Sequence, residues 1–123
     1  MQSLVTQAEF EVLWTASAST GGTTAASASS DVSNNRPWLV YFTKNDCAPC
    51  ALLDKDAILS AATGGGLRIY VVNLSINKYT PGFCNVNRFP TFALMKPRKI
   101  IATLTSSKTE AVIAWINDFV ESQ

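Results

Sequence analysis

Two largely apolar runs constrain this chain more than any other feature: residues 37–43, PWLVYFT, and residues 67–74, LRIYVVNL. Both are rich in β-branched and aromatic residues and lack the apolar-polar alternation of a strand with one wet face. Each therefore reads as a strand covered on both faces. The segment between them, NDCAPCALLDKDAILSAATGGG, has the Ala and Leu content of a helix over 48–62, which Gly64, Gly65 and Gly66 stop. Together they form a β-α-β unit, and the chain belongs to the α/β class.

The flanks add smaller elements. Thr6 and Glu9 have capping-box spacing, and Phe10, Leu13 and Trp14 follow at i, i+3 and i+4, which predicts a short amphipathic helix after an edge strand at Leu4-Val5. Residues 75–88 read as irregular, with one short helix over 81–85. Residues 91–95 and 100–104 are short apolar runs joined by Lys96, Pro97, Arg98 and Lys99, an antiparallel hairpin. Ser107 and Glu110 repeat the capping-box pattern ahead of an apolar stripe made by Val112, Ile113, Ile116, Phe119 and Val120. Residues 15–30 contain only Ala, Ser, Thr and Gly, and such a tract buries too little surface to offset its ordering entropy. We expect one domain over 1–123, with residues 15–35 as a flexible insertion after the first helix.

Composition removes several functions. With 10 Lys+Arg against 9 Asp+Glu the net charge is +1, so the usual driver of non-specific nucleic-acid binding is missing. There is no His, which excludes Ser-His-Asp and Cys-His nucleophiles and every His-containing metal site. Three cysteines, Cys47, Cys50 and Cys84, make a poor disulfide framework. The first residues lack a basic start followed by an apolar run, and no stretch approaches 18 apolar residues. The expectation is a soluble protein of the cytoplasm that engages neither membrane nor nucleic acid.

One constellation carries chemistry. Cys47-Ala48-Pro49-Cys50 sits where a buried strand gives way to a helix. There Cys47 faces unsatisfied N–H groups and the positive end of the helix dipole, which favour thiolate over thiol. Cys50, one turn on, can reach back to resolve a mixed disulfide by intramolecular attack. Pro49 fixes φ in the first turn, where its missing N–H costs nothing. A zinc or iron-sulfur site would need a second CxxC or a His pair, and only Cys84 remains, so neither metal nor cofactor is expected. A pair of structural cysteines without redox turnover is the competing reading.

At this point the chain resembles the thioredoxin family. The resemblance runs from Pro37 to the C-terminus, and more loosely over the first helix, with strand, CAPC and long helix in family order. Its second anchor is Phe89-Pro90-Thr91, similar to the family's cis-proline motif, and the spacing from Cys50 to Pro90 fits without gaps. The resemblance implies a thioredoxin fold, a central mixed β-sheet flanked by helices. It also implies a monomeric thiol-disulfide oxidoreductase, with Cys47 as nucleophile and Cys50 as resolving thiol. Asp46, Ala48, Pro49, Phe89 and Pro90 inherit substrate contact. The implied partners are protein disulfides and a dithiol reductase or another thiol electron donor. Glutaredoxin-type glutathione binding is not implied, because no Gly-Gly pair follows the strand after Pro90.

Five positions depart from the family pattern. Asp46 stands where Trp commonly precedes the first Cys, and Tyr41 replaces a buried Asp in the preceding strand. Pro97-Arg98 replaces a Gly-containing turn, Ser106 a Gly near the end of the last strand, and Lys55 the proline that often bends the second helix. The alternative function is a thioredoxin-fold interaction or assembly subunit that binds through the Asp46/Phe89 surface without turnover. Of the remaining candidates, Cys84 reads as a small buried side chain and Lys96, Arg98 and Lys99 as solvated turn charges. Lys44 and Arg88 belong at the Cys47 end, where they can shape partner choice, and Trp14, Trp38 and Trp115 read as core.

Overall fold

A computed structural model describes residues 1–15 and 37–122. The expected insertion lies outside these residues, except for Thr15, whose N–H closes the first helix onto Glu11 O at 2.9 Å. Five strands form one sheet: β1 (Gln2–Ser3), β2 (Trp38–Thr43), β3 (Arg68–Asn73), β4 (Thr91–Lys96) and β5 (Lys99–Thr105). Their order is β1-β3-β2-β4-β5, with β1, β3 and β2 parallel and the β4-β5 hairpin antiparallel. The mixed sheet is flanked by helices, as the resemblance implied.

The long apolar runs are continuous because both faces of the sheet are dry. Leu39 and Tyr41 of β2, with Ile69, Phe92 and Leu94, point to one face and meet Ile58 and Ala62 of α3 (Lys55–Gly64) and Val112 and Ile116 of α5 (Thr109–Glu121). Val40 and Phe42 point to the other, with Tyr70, Val72 and Met95, and meet Phe10 of α1 (Gln7–Trp14) and Cys84. Alternation is present along β2, but each half of it reaches a separate core. Trp38 is buried, whereas Trp14 and Trp115 are half-buried residues packed against the two cores rather than inside them.

Thr6 caps α1 with the expected box: its Oγ1 accepts from Glu9 N at 3.2 Å, and the Glu9 carboxylate accepts from Thr6 N at 3.3 Å. Other expectations need correction. The edge strand is Gln2–Ser3, two residues before Leu4-Val5; the ladder onto β3 then ends with Leu4 N donating to Val71 O. The helix over 48–62 is two helices, α2 (Ala48–Ala51) and α3, because Asp54 takes an extended backbone and caps α3 through Oδ1 on Ala57 N at 3.0 Å. The short helix is α4 (Tyr79–Phe83), set by Asn77, whose buried carboxamide accepts from Thr80 N and donates to Leu4 O. Finally, Ser107 does not cap α5. The N-cap is Lys108, and the Thr109 hydroxyl instead accepts from Asp54 N at 2.9 Å, locking α3 to α5.

Two turns depend on backbone geometry. A Cβ on Gly65 would meet Val120 Cγ2 at 2.6 Å, so glycine there lets α5 lie against the end of α3. In the hairpin turn Arg98 has φ 60, a conformation that favours glycine, and its N–H is held by Trp14 O at 2.9 Å. This turn is at the far end of the sheet from Cys47, since Phe42 pairs with Thr91 and Trp38 with Met95. Because Asp54 both starts α3 and marks its junction with α5, Asp54→Ala should cost about 1 kcal/mol, a fall of roughly 5 °C in thermal midpoint. Thermal unfolding by circular dichroism checks this.

Candidate active site

The site is built at the carboxyl ends of β2 and β3. Leu74 N donates to Thr43 O at 2.8 Å, extending their pairing by one bond. Beyond it the side chains take over: Asn45 N donates to Ser75 Oγ at 3.0 Å, Asn73 Nδ2 to Asn45 Oδ1 at 3.1 Å, and Ser75 N to Asn73 Oδ1 at 2.8 Å. This net fixes the loop that delivers Cys47. Sequence reasoning missed Asn45, Asn73 and Ser75, although Asn and Ser following two buried strands are the usual turn formers. Asp46 completes the loop with φ 55, a left-handed backbone that Asp tolerates better than a β-branched or bulky residue.

Cys47 is the N-cap of α2, half-buried, with Sγ accepting from Cys50 N at 3.2 Å. It is joined to Cys50 as a disulfide whose Cα atoms are 5.2 Å apart. Cys50 itself is only 4% exposed, so the two sulfurs differ in access as the motif predicts. Pro49 falls in the first turn, and Ala48, Pro49 and Asp46 form an exposed rim. Cys47 Sγ lies 3.8 Å from the carbonyl oxygen of Phe89, which a cis peptide joins to buried Pro90. Lys44 Nζ sits 5.6 Å from the centroid of the Phe89 ring, a cation-π contact beside the sulfur. The structure thus brings together Asp46, Cys47, Ala48, Pro49, Cys50, Phe89 and Pro90.

A hollow of about 550 Å³ opens beside the pair, lined by Thr43, Lys44, Asp46, Cys47, Cys50 and Lys55 among others. Tyr41, in the core and lining a neighbouring smaller hollow, stacks on Phe92 at 4.9 Å. Its buried Oη has no hydrogen-bond partner. Burial pushes the phenol above its ordinary range; the nearby Thr43 side chain offsets part of this without reaching hydrogen-bond geometry. Cys84, at the end of α4, is a buried free thiol, and burial pushes it up to about 12. No group of three or more His, Cys, Asp or Glu among the described residues could hold a metal ion.

The sequence model of the thioredoxin family matches residues 20–118, most of the chain. The protein belongs to the thioredoxin family. A search of the curated protein sequences returns no match. Similar solved structures include the thioredoxin of Malassezia sympodialis, at TM-score 0.73 and 14% identity over 98% of this chain and 90% of that one. The thioredoxin of Fasciola hepatica follows at TM-score 0.69 and 18% identity, covering 96% and 98%. Thioredoxin f2 of Chlamydomonas reinhardtii gives TM-score 0.59 and 26% identity, covering 69% and 80%.

With the family, the fold and the close Cys47–Cys50 pair in place, the protein is a dithiol thiol-disulfide oxidoreductase. The geometry gives its two sulfurs unequal access. Brief alkylation of the reduced protein at pH 8 with iodoacetamide should mark Cys47 first, because only its sulfur is both accessible and supplied with an N–H donor. Cys84, held as a neutral thiol, should react only on unfolding. Peptide mass spectrometry reads the order, and Cys50 or Cys84 labelling ahead of Cys47 would overturn it.

Proposed function

We propose that the protein works as a reductase of protein disulfides in the cytoplasm, a monomer that carries electrons to its targets and so serves cell redox homeostasis. A dithiol reductase or another thiol donor returns it to the reduced state. The observation that carries this reading is the placement of Cys47 Sγ between the Cys50 N–H and the Phe89 carbonyl, half-open to solvent.

In the reduced protein, Cys47 thiolate attacks one sulfur of a target disulfide. The target's S–S bond breaks, its second sulfur leaves as thiolate and takes a proton, and a mixed disulfide joins Cys47 to the target. Cys50 then loses its proton and attacks Cys47 Sγ, forming the Cys47–Cys50 disulfide and releasing the other target thiol. Two electrons have passed to the target. The N–H of Cys50 and the start of α2 stabilise the negative sulfur of Cys47. Phe89 offers its backbone to the target chain, Pro90 presents no N–H that could pair with the sheet, and Asp46, Ala48 and Pro49 supply the rim against which the target rests.

Insulin reduction driven by dithiothreitol tests the turnover. The protein should accelerate precipitation of the B chain, and Cys47→Ser should abolish the acceleration. Equal rates would favour the interaction subunit instead. Cys50→Ser should accumulate mixed disulfides on exposure to insulin, visible on a non-reducing gel.

Asp46 tunes the pair. A carboxylate beside Cys47 disfavours the thiolate, by about threefold in its dissociation constant at roughly 6 Å under water-like screening. Destabilised thiolate means destabilised dithiol, so the disulfide is favoured and the protein is the stronger reductant. Asp46→Asn should therefore lower the pH at which Cys47 ionises and raise the reduction potential, most clearly at low ionic strength. Thiolate absorbance through a pH titration and equilibration with glutathione measure the two effects. An unchanged or higher ionisation pH would leave Asp46 a role in target choice alone.

A further inference from the structure

The hollow beside the cysteines does not end at them. It shares Thr43 and Lys55 with a second hollow of about 300 Å³, lined also by Met1, Tyr41, Asp56, Leu59 and Val71. Together these neighbouring hollows make up a trough beside the first turn of α3, and Lys55 lines both parts of it.

Helix physics does not favour a lysine there. Lys55 is the first residue of α3, where the dipole favours the negative charge that Asp54 and Asp56 supply on either side. Among the described residues its ammonium has neither ion pair nor hydrogen bond, and the residue is exposed. The other charges of the trough are disposed differently. Lys44 is drawn over the Phe89 ring, Asp46 is on the loop before Cys47, and Asp56 is in the second hollow. Among the described residues Lys55 is thus an unpaired cation that lines both the hollow beside the sulfurs and the apolar recess.

We infer that this trough is a substrate subsite for the target segment next to its disulfide, taking an acidic residue against Lys55 and an apolar one between Met1, Leu59 and Val71. The inference rests on the proposed reduction of protein disulfides and names their class. Charge complementarity selects the occupant: a carboxylate in the trough pairs with Lys55, whereas a lysine there meets a like charge, so rejection contributes as much as attraction. Because Cys47 lines the same hollow as Lys55, the segment that reaches Lys55 belongs to the chain held in the mixed disulfide. Its binding is then intramolecular.

The test uses disulfide-bridged peptides that differ only in the residue beside the cysteine, Glu, Ala or Lys, each followed by Leu. The full-length protein, Lys55→Met and Lys55→Glu reduce them with dithiothreitol as donor. The readout is the ratio of kcat/KM for the Glu and Lys peptides within each protein, which cancels differences in folding or thiol reactivity. For the unaltered protein the ratio should be about three- to tenfold at low ionic strength and should shrink in 1 M salt, where the screening length falls to about 3 Å. Lys55→Met should bring it near one, and Lys55→Glu should invert it. A ratio of one in the unaltered protein, or a preference that survives Lys55→Glu, would overturn the subsite. Failure to reduce even the Ala peptide would bring down the reductase reading along with it.

Discussion

Everything at the site hangs on the parallel pairing of β2 with β3. Its register carries through to Thr43 opposite Asn73, and one further bond, Leu74 N to Thr43 O, sets where the two chains part. Both strands are locked in that register because each is buried on two faces, where a one-residue slip would exchange the contents of two different cores. The Asn45, Asn73 and Ser75 side chains then convert a sheet end into a rigid loop, and Cys47 inherits its position from them. β4 brings the other half, because Phe42 opposite Thr91 sets the Phe89 carbonyl beside the sulfur.

That arrangement divides three chemically identical side chains into three different groups. Cys47 is half-open at a helix start with an N–H donor on its sulfur; Cys50 is covered one turn along the same helix; Cys84 is sealed in the opposite core with no partner that would favour its charge. Burial raises the Cys84 thiol, whereas the helix start and the Cys50 N–H favour the Cys47 thiolate. The helix that does this is only one turn long, and its brevity follows from Asp54, which starts α3 afresh and leaves its backbone N–H to Thr109. Lys55 is carried into the trough by the same break.

The parts of this that were legible in the sequence are those governed by local rules. Residues 37–43 and 67–74 declared themselves as doubly buried strands, the Thr6 cap and the Phe10 face follow from spacing, and CAPC at a strand-helix junction names its own chemistry. What stayed hidden depends on distant partners. Asp54 looks like one more helical position until its N–H finds Thr109, 55 residues away, and in place of the Ser107 capping box the helix starts from Lys108 without a side-chain cap. Asn77 reads as loop, yet it is buried and ties Leu4 to Thr80, which is why α4 starts two residues earlier than its composition suggests. The trough at Lys55 was equally out of sight, since Met1, Leu59 and Val71 are far apart in the chain.

Tyr41 bears on how the second half of the reaction proceeds. A phenol whose ionisation is pushed upward by burial stays protonated at neutral pH, so it cannot accept the proton that Cys50 must lose before attacking Cys47. The carboxylate among the residues lining the adjoining hollow is Asp46, on the loop before Cys47 and exposed. Cys50, although only 4% exposed, does line that hollow. With the phenol set aside, the acceptors left along the two hollows are solvent and the carboxylates of Asp46 and Asp56. A target seated against Lys55 also covers the hollow that Cys50 lines, so the choice of disulfide and the fate of that proton meet at one place.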